Sequence, residues 1–96
     1  MKEYVLGIEH DFKTFPTEIE IEQQSYFLLK NDTQYLLASR VCPHMGYLIE
    51  KNDEELVCNV HGWNFDSNTG NCLFLKSEKL ATFTIIQKDG QLIALI

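Results

Sequence analysis

Three cysteines and three histidines are the side chains of this chain best suited to bind a metal. Four of the six fall in two short segments, Cys42-Pro43-His44-Met45-Gly46 and Cys58-Asn59-Val60-His61-Gly62-Trp63. Each segment sets one thiol near one imidazole, so each can offer a sulfur and a nitrogen ligand from a single loop. Thirteen residues separate His44 from Cys58, enough for an out-and-back hairpin that returns the second loop beside the first. Cys42, His44, Cys58 and His61 can then converge on one small site. An odd cysteine count, with no export signal at Met1-Lys2-Glu3-Tyr4, argues against a disulfide framework and for a metal. Cys72 reads as a small buried hydrophobe, and His10, within Glu9-His10-Asp11, as an exposed loop residue.

The ligand inventory admits two kinds of centre. Structural zinc takes two Cys and two His tetrahedrally, but common zinc fingers group the two Cys together and the two His together. Here each loop supplies one of each. A binuclear iron–sulfur cluster with mixed ligation accounts for that arrangement, because one iron takes both thiolates and the other both imidazoles. Inventory alone leaves zinc and iron–sulfur both open.

The elements that position these loops read as strands. Thr17–Glu22 alternates polar and apolar residues, with Glu18, Glu20 and Glu22 on one face, a solvated strand face. Tyr4–Ile8 is a further strand. Four hairpins follow: Ser25–Lys30 with Gln34–Ser39 about Asn31-Asp32-Thr33, and Tyr47–Glu50 with Glu55–Cys58 about residues 51–54. Asn64–Asp66 pairs with Asn71–Leu75 about Ser67-Asn68-Thr69-Gly70, and Leu80–Gln87 with Gln91–Ile96 about Lys88-Asp89-Gly90. One helical turn is expected near Thr14–Thr17. About nine short strands with polar turns predict an all-β sandwich or barrel.

The 96 residues fit one domain, 1–96, with no linker or repeat. At 45% apolar and 23% charged the composition is that of a folded protein. Eight basic against fourteen acidic residues give a formal charge of −6, and the bases are scattered singly, which argues against nucleic acid as a partner. No apolar run approaches the roughly 18 residues of a membrane span. The expected location is the cytoplasm.

The pattern Cys42-Pro43-His44, then Cys58-Asn59-Val60-His61-Gly62-Trp63-Asn64-Phe65-Asp66, then Thr69-Gly70 resembles the Rieske 2Fe–2S proteins over residues 42–70. The resemblance implies an antiparallel β-sandwich base with a small cluster-binding subdomain at about residues 40–75. It also implies one 2Fe–2S cluster, with Cys42 and Cys58 on the inner iron and His44 and His61 on the solvent-facing iron. Around these ligands, Gly46 and Gly62 would let backbone N–H groups approach the sulfides, and Trp63 and Phe65 would lie close by. The gap between the loops is short for the family, Asn59 stands where proline is common, and Cys72–Lys79 lacks the covering proline. Tyr47 and Val60 occupy the positions of the extra cysteines of the respiratory branch, so its disulfide has no counterpart. Trp63 and Phe65 stand where that branch has hydroxyl groups that raise the potential. The resemblance is therefore to the low-potential ferredoxin and oxygenase branch, at roughly −150 to 0 mV.

With His44 and His61 committed to the cluster, His10 alone cannot build the two-His, one-carboxylate iron site of an oxygenase, and no Gly-x-Gly-x-x-Gly fingerprint is present. The expectation is a non-enzymatic electron carrier, a soluble Rieske-type ferredoxin. It would dock transiently with a reductase and with a terminal oxygenase or reductase. Glu50, Asp53, Glu54 and Glu55, between the two loops, would steer those encounters, with Met45 and Trp63 as apolar candidates. The alternatives are a small Rieske subunit of a nitrite-reductase-like complex and, from another class, a zinc-stabilised binding module.

Overall fold

A computed structural model describes residues 1–43, 46–53, 55–60, 62–73 and 77–96. Among these residues nine strands run in the order β1 (Glu3–Ile8), β2 (Thr17–Ile21), β3 (Gln24–Asn31), β4 (Gln34–Ser39), β5 (Glu50–Asn52), β6 (Glu55–Cys58), β7 (Trp63–Phe65), β8 (Thr82–Lys88) and β9 (Gln91–Leu95). A six-stranded antiparallel sheet has the order β1-β9-β8-β4-β3-β2, and β5-β6-β7 form a second, three-stranded antiparallel sheet. The protein is all-β, as its turn-punctuated strand pattern predicts.

The wall between the two sheets is β3 with β4. Tyr26-Phe27-Leu28-Leu29 is a continuous apolar run because both of its faces are covered. Leu28, with Tyr35, meets Leu92 on one face, together with Leu6 from β1, Ile19 from β2 and Ile85 from β8. Tyr26 and Leu37 pack on that face too, with Ile21 and Ala94. Since β1 and β2 are the two edges of the sheet yet share this core, the sheet curls onto itself. On the opposite face Phe27, Leu29 and Ala38 meet Ile49, Leu56, Phe65 and Leu80, the core that joins the base to the smaller sheet. Burying each of these large side chains contributes about 1.5–3 kcal/mol.

Several boundaries differ from expectation, each for a backbone reason. β5 begins at Glu50 rather than Tyr47, because residues 47–49 pair back onto 40–42. The β5–β6 turn is correspondingly tight, with Asn52 opposite Glu55. Asn71–Leu75 is not a strand over its described part: Cys72 N–H donates to the Glu78 carbonyl (3.0 Å) and Leu73 N–H to the Asn64 carbonyl (2.9 Å), so the segment divides its bonds between two neighbours. β8 begins at Thr82, since Leu80 N–H is taken by the Gly70 carbonyl (2.9 Å). The helical turn lies at Glu9–Asp11, not Thr14–Thr17, where Pro16 disfavours helical backbone at the preceding Phe15.

Tyr35 ties the β4 strand to that helical turn: its hydroxyl donates to Glu9 Oε2 at 2.9 Å. Burial, then the Glu9 carboxylate, raise the phenol above its ordinary range. A raised native-state pKa favours the protonated phenol, so this contribution holds up to about pH 10 and is lost as pH climbs through the native-state value. Tyr35→Phe should lower stability by about 1 kcal/mol, a fall of roughly 4–8 °C in thermal midpoint at fixed scan rate, and should flatten the alkaline loss of stability.

Candidate metal centre

The loop after Cys42 is the tip of a hairpin. Ile49 N–H donates to the Arg40 carbonyl (2.6 Å), Val41 bridges Leu48, and Cys42 N–H donates to the Tyr47 carbonyl (2.7 Å). Cys42 is the last rung of this stem. The loop after Cys58 is built the same way, for Cys58 ends β6 opposite Trp63, the first residue of β7. Four residues span each tip, 43–46 and 59–62, and the fourth is glycine in both. Gly46 N–H donates to the Cys42 carbonyl (2.9 Å) and Gly62 N–H to the Cys58 carbonyl (2.7 Å). The two glycines have φ of +76° and +69°, a left-handed conformation that costs other L-residues roughly 1–2 kcal/mol.

A third loop repeats the design without a thiol. Asp66 N–H donates to the Asn71 carbonyl and Gly70 N–H to the Asp66 carbonyl, both at 2.8 Å, with Gly70 at φ +78°. The Asp66 carboxylate accepts the Asn68 N–H (2.7 Å), so Asp66 holds its own turn. In the two cysteine loops the glycine N–H groups close the tip onto the cysteine carbonyl. Among the described residues a Cβ at Gly46 or Gly62 would meet no atom within 4 Å, and the left-handed backbone by itself favours glycine there.

Cys42 and Cys58 are 1% and 0% exposed, and none of the three cysteines is in a disulfide. Both lie in one core with Ile49, Leu56, Phe65, Cys72 and Leu80, against which Trp63 packs half-buried. Cys72 is therefore a buried core residue, as expected from its sequence. Phe65, also fully buried, brings no hydroxyl to this core. His44, His61 and Met45 lie outside the described residues, and among the described residues no group of three or more His, Cys, Asp and Glu side chains forms a metal site. His10 is exposed on the Glu9–Asp11 turn. The donor set fits a cluster ligated in pairs: two buried sulfurs at equivalent positions of two equivalent loops, with one histidine in the sequence after each cysteine.

The Rieske [2Fe-2S] domain model matches residues 2–84. The chain belongs to the Rieske [2Fe-2S] family. Its cofactor is accordingly one Rieske-type 2Fe–2S cluster, and not the zinc that the ligand inventory alone allowed. Oxidoreductase NdmD of Pseudomonas putida is 33% identical over 61 residues, 51% of this chain and 10% of that protein. The methanesulfonate monooxygenase hydroxylase subunit alpha of Methylosulfonomonas methylovora is 36% identical over 52 residues, 41% of this chain and 12% of that one. The chain thus spans only about a tenth of the length of these curated relatives. In fold it is similar to the terminal oxygenase of carbazole 1,9a-dioxygenase from Novosphingobium sp. KA1 (TM-score 0.70, 15% identity, 98% of this chain and 29% of that one). It is also similar to a protein described as a nitrite reductase NADPH small-subunit oxidoreductase, with TM-score 0.64, 18% identity and both chains covered in full.

Sequence reasoning passed over Arg40, the sole arginine of the chain. Its available signal was position: it stands two residues before Cys42. In the fold it is buried and bonded to the Glu18 carboxylate, the Ile49 carbonyl and the Glu50 carboxylate.

Gly62→Ala should weaken the closed second loop by about 1 kcal/mol, seen as roughly fivefold faster iron release to a chelator, with Gly62→Asn in between. Release at the wild-type rate from both variants would show that the left-handed turn does not hold the loop.

Proposed function

We propose that this chain is a one-electron carrier of the Rieske-type ferredoxin kind, passing electrons from a reductase to a terminal oxygenase or reductase. The observation that carries this reading is the pair of equivalent, glycine-closed hairpin tips, each ending its stem on a buried cysteine. In it Cys42 and Cys58 ligate one iron and His44 and His61 the other, within a cluster-binding unit of residues 40–75. The cluster supplies reversible one-electron chemistry. The residues around it hold the thiolates away from water and keep the two loops in fixed register. The chain performs no bond-making reaction of its own in this reading, and its location is the cytoplasm.

Docking at the tips is supported by the surface around them. Val41, Tyr47 and Leu48 on the stem of the first cysteine loop and Val60 in the second are large apolar residues left exposed, as is Leu73 beyond Cys72. They replace Trp63 as the apolar candidates, since Trp63 packs half-buried against the core. Of the acidic steering group, Glu54 lies outside the described residues, Glu50 is engaged by Arg40, and Asp53 and Glu55 are exposed. Charge then brings a partner in, and apolar contact at the tips seats it.

A second reading, a small subunit held permanently in a nitrite-reductase-like complex, is favoured by the structural match that covers both chains in full. Purification from the source cell separates the two. A carrier elutes alone, and a subunit elutes with a stoichiometric partner.

Purified protein should hold two irons and two acid-labile sulfides per chain. His44→Ala or His61→Ala should bleach it, while His10→Ala should keep its colour. Bleaching by the His10 change alone would reverse the ligand assignment.

Reduction by the cognate reductase should slow as salt rises, because screening acts over about 8 Å at physiological ionic strength. Asp53→Lys with Glu55→Lys should slow it further at low salt. Stopped-flow rates indifferent to both would leave the apolar rim as the docking determinant.

A further inference from the structure

Arg40 is only 8% exposed, unusual for a residue that is rarely buried without partners. Each guanidinium nitrogen has its own acceptor. Nε donates to the Ile49 carbonyl at 3.0 Å, one terminal nitrogen to Glu18 and the other to Glu50 at 3.4 Å. The planar group also lies over the Phe27 ring, 5.1 Å from its centroid. These partners come from separate parts of the fold: Glu18 from β2, Phe27 from β3, Ile49 from the stem of the first cysteine loop and Glu50 from β5. The Arg40 backbone adds two further ties, donating to the Ser25 carbonyl (3.3 Å) and accepting from Ile49 N–H (2.6 Å).

We propose that Arg40 is the positioning residue of the first cysteine loop, fixing Cys42 against the base sheet and thereby setting the environment of the cluster. The proposal rests on the reading of Cys42 as a ligand. Arg40 touches neither reacting atoms nor cluster in this role; it acts through the stem. Cys42 lies two residues along a stem that Arg40 bonds at both its backbone and its side chain, so any rotation of the stem breaks several of these bonds at once. A lysine cannot substitute, because one ammonium cannot reach three acceptors in a fixed fork and still lie flat on an aromatic ring. A uniform electrostatic role would need only the charge. A positioning role needs the shape.

The test compares holoproteins carrying Arg40→Lys, Arg40→Met, Glu18→Gln and Glu50→Gln. It reads the electron paramagnetic resonance of the reduced cluster, its visible circular dichroism, its midpoint potential and the rate of iron release to a chelator. Arg40→Lys and Arg40→Met should both alter the two spectra and speed iron release about tenfold, equivalent to one charge-assisted hydrogen bond. Spectra and release at wild-type values in Arg40→Lys would overturn the proposal. So would potentials that fall in Arg40→Met and rise in both glutamine variants with spectra unchanged, the signature of charge alone. Should neither Arg40 variant fold, the double variant Glu18→Gln, Glu50→Gln decides. Both carboxylates are more than half exposed, so their loss spares the core. Altered spectra and faster release then support the clamp, and wild-type values overturn it. Cys42→Ser tests the ligand assignment separately: if it keeps an unchanged cluster, that assignment fails whatever the Arg40 variants do.

Discussion

A glycine N–H closing back onto a carbonyl four residues earlier is the constraint on which the metal centre depends. It turns a strand through a tip of four residues and leaves the first residue of the turn as the last rung of a ladder. In the two cysteine loops the direction of that residue's side chain is set by strand pairing. Because Cys42–Tyr47 and Cys58–Trp63 are closed in the same way, the two thiols arrive as equivalents in one core. The intervening chain then has one task, to run out and back between the loops. β5 and β6 do so with three and four residues.

Such a small sheet has little apolar surface of its own. It borrows a core from the base through Phe27, Leu29 and Ala38, whose neighbours along the strands face the other way into the curled six-stranded sheet. The β3–β4 wall therefore serves two cores, which explains why so short a chain buries its cysteines fully. It also explains why an arginine is needed where the two parts meet. The stem of residues 40–42 and 47–49 joins the base to the smaller sheet, and its buried Ile49 carbonyl takes the Arg40 Nε–H.

The strands and the two cysteine loops were legible because they carry local signals. Alternation marks β2, a doubly covered apolar run marks β3, and Asp89-Gly90 marks the β8–β9 turn, where both residues have positive φ. Other features leave no such mark. The β2–β3 turn uses Glu22 and Gln23 at φ +49° and +69°, left-handed positions without glycine or asparagine. The start of β5 depended on a competition between two partners for residues 47–49, which only the assembled hairpin decides. Arg40 offered only its place two residues before Cys42, since its three acceptors come from residues 18, 49 and 50.

Within the carrier reading, the distribution of surface groups divides recognition into two ranges. Coulomb attraction reaches about a Debye length, so the carboxylates on the β5–β6 turn can orient a partner before contact. Apolar contact acts only once water is expelled, and exposed Val41, Tyr47, Leu48 and Val60 lie on the cysteine loops or their stem. A carrier must release its partner after each electron, which favours a small contact over a large one. Val41, Tyr47, Leu48, Val60 and Leu73 are too few for a stable interface and enough for a brief one. On the proposed Arg40 clamp, the stem that carries Val41, Tyr47 and Leu48 is held before a partner arrives, which lowers the ordering entropy of seating one.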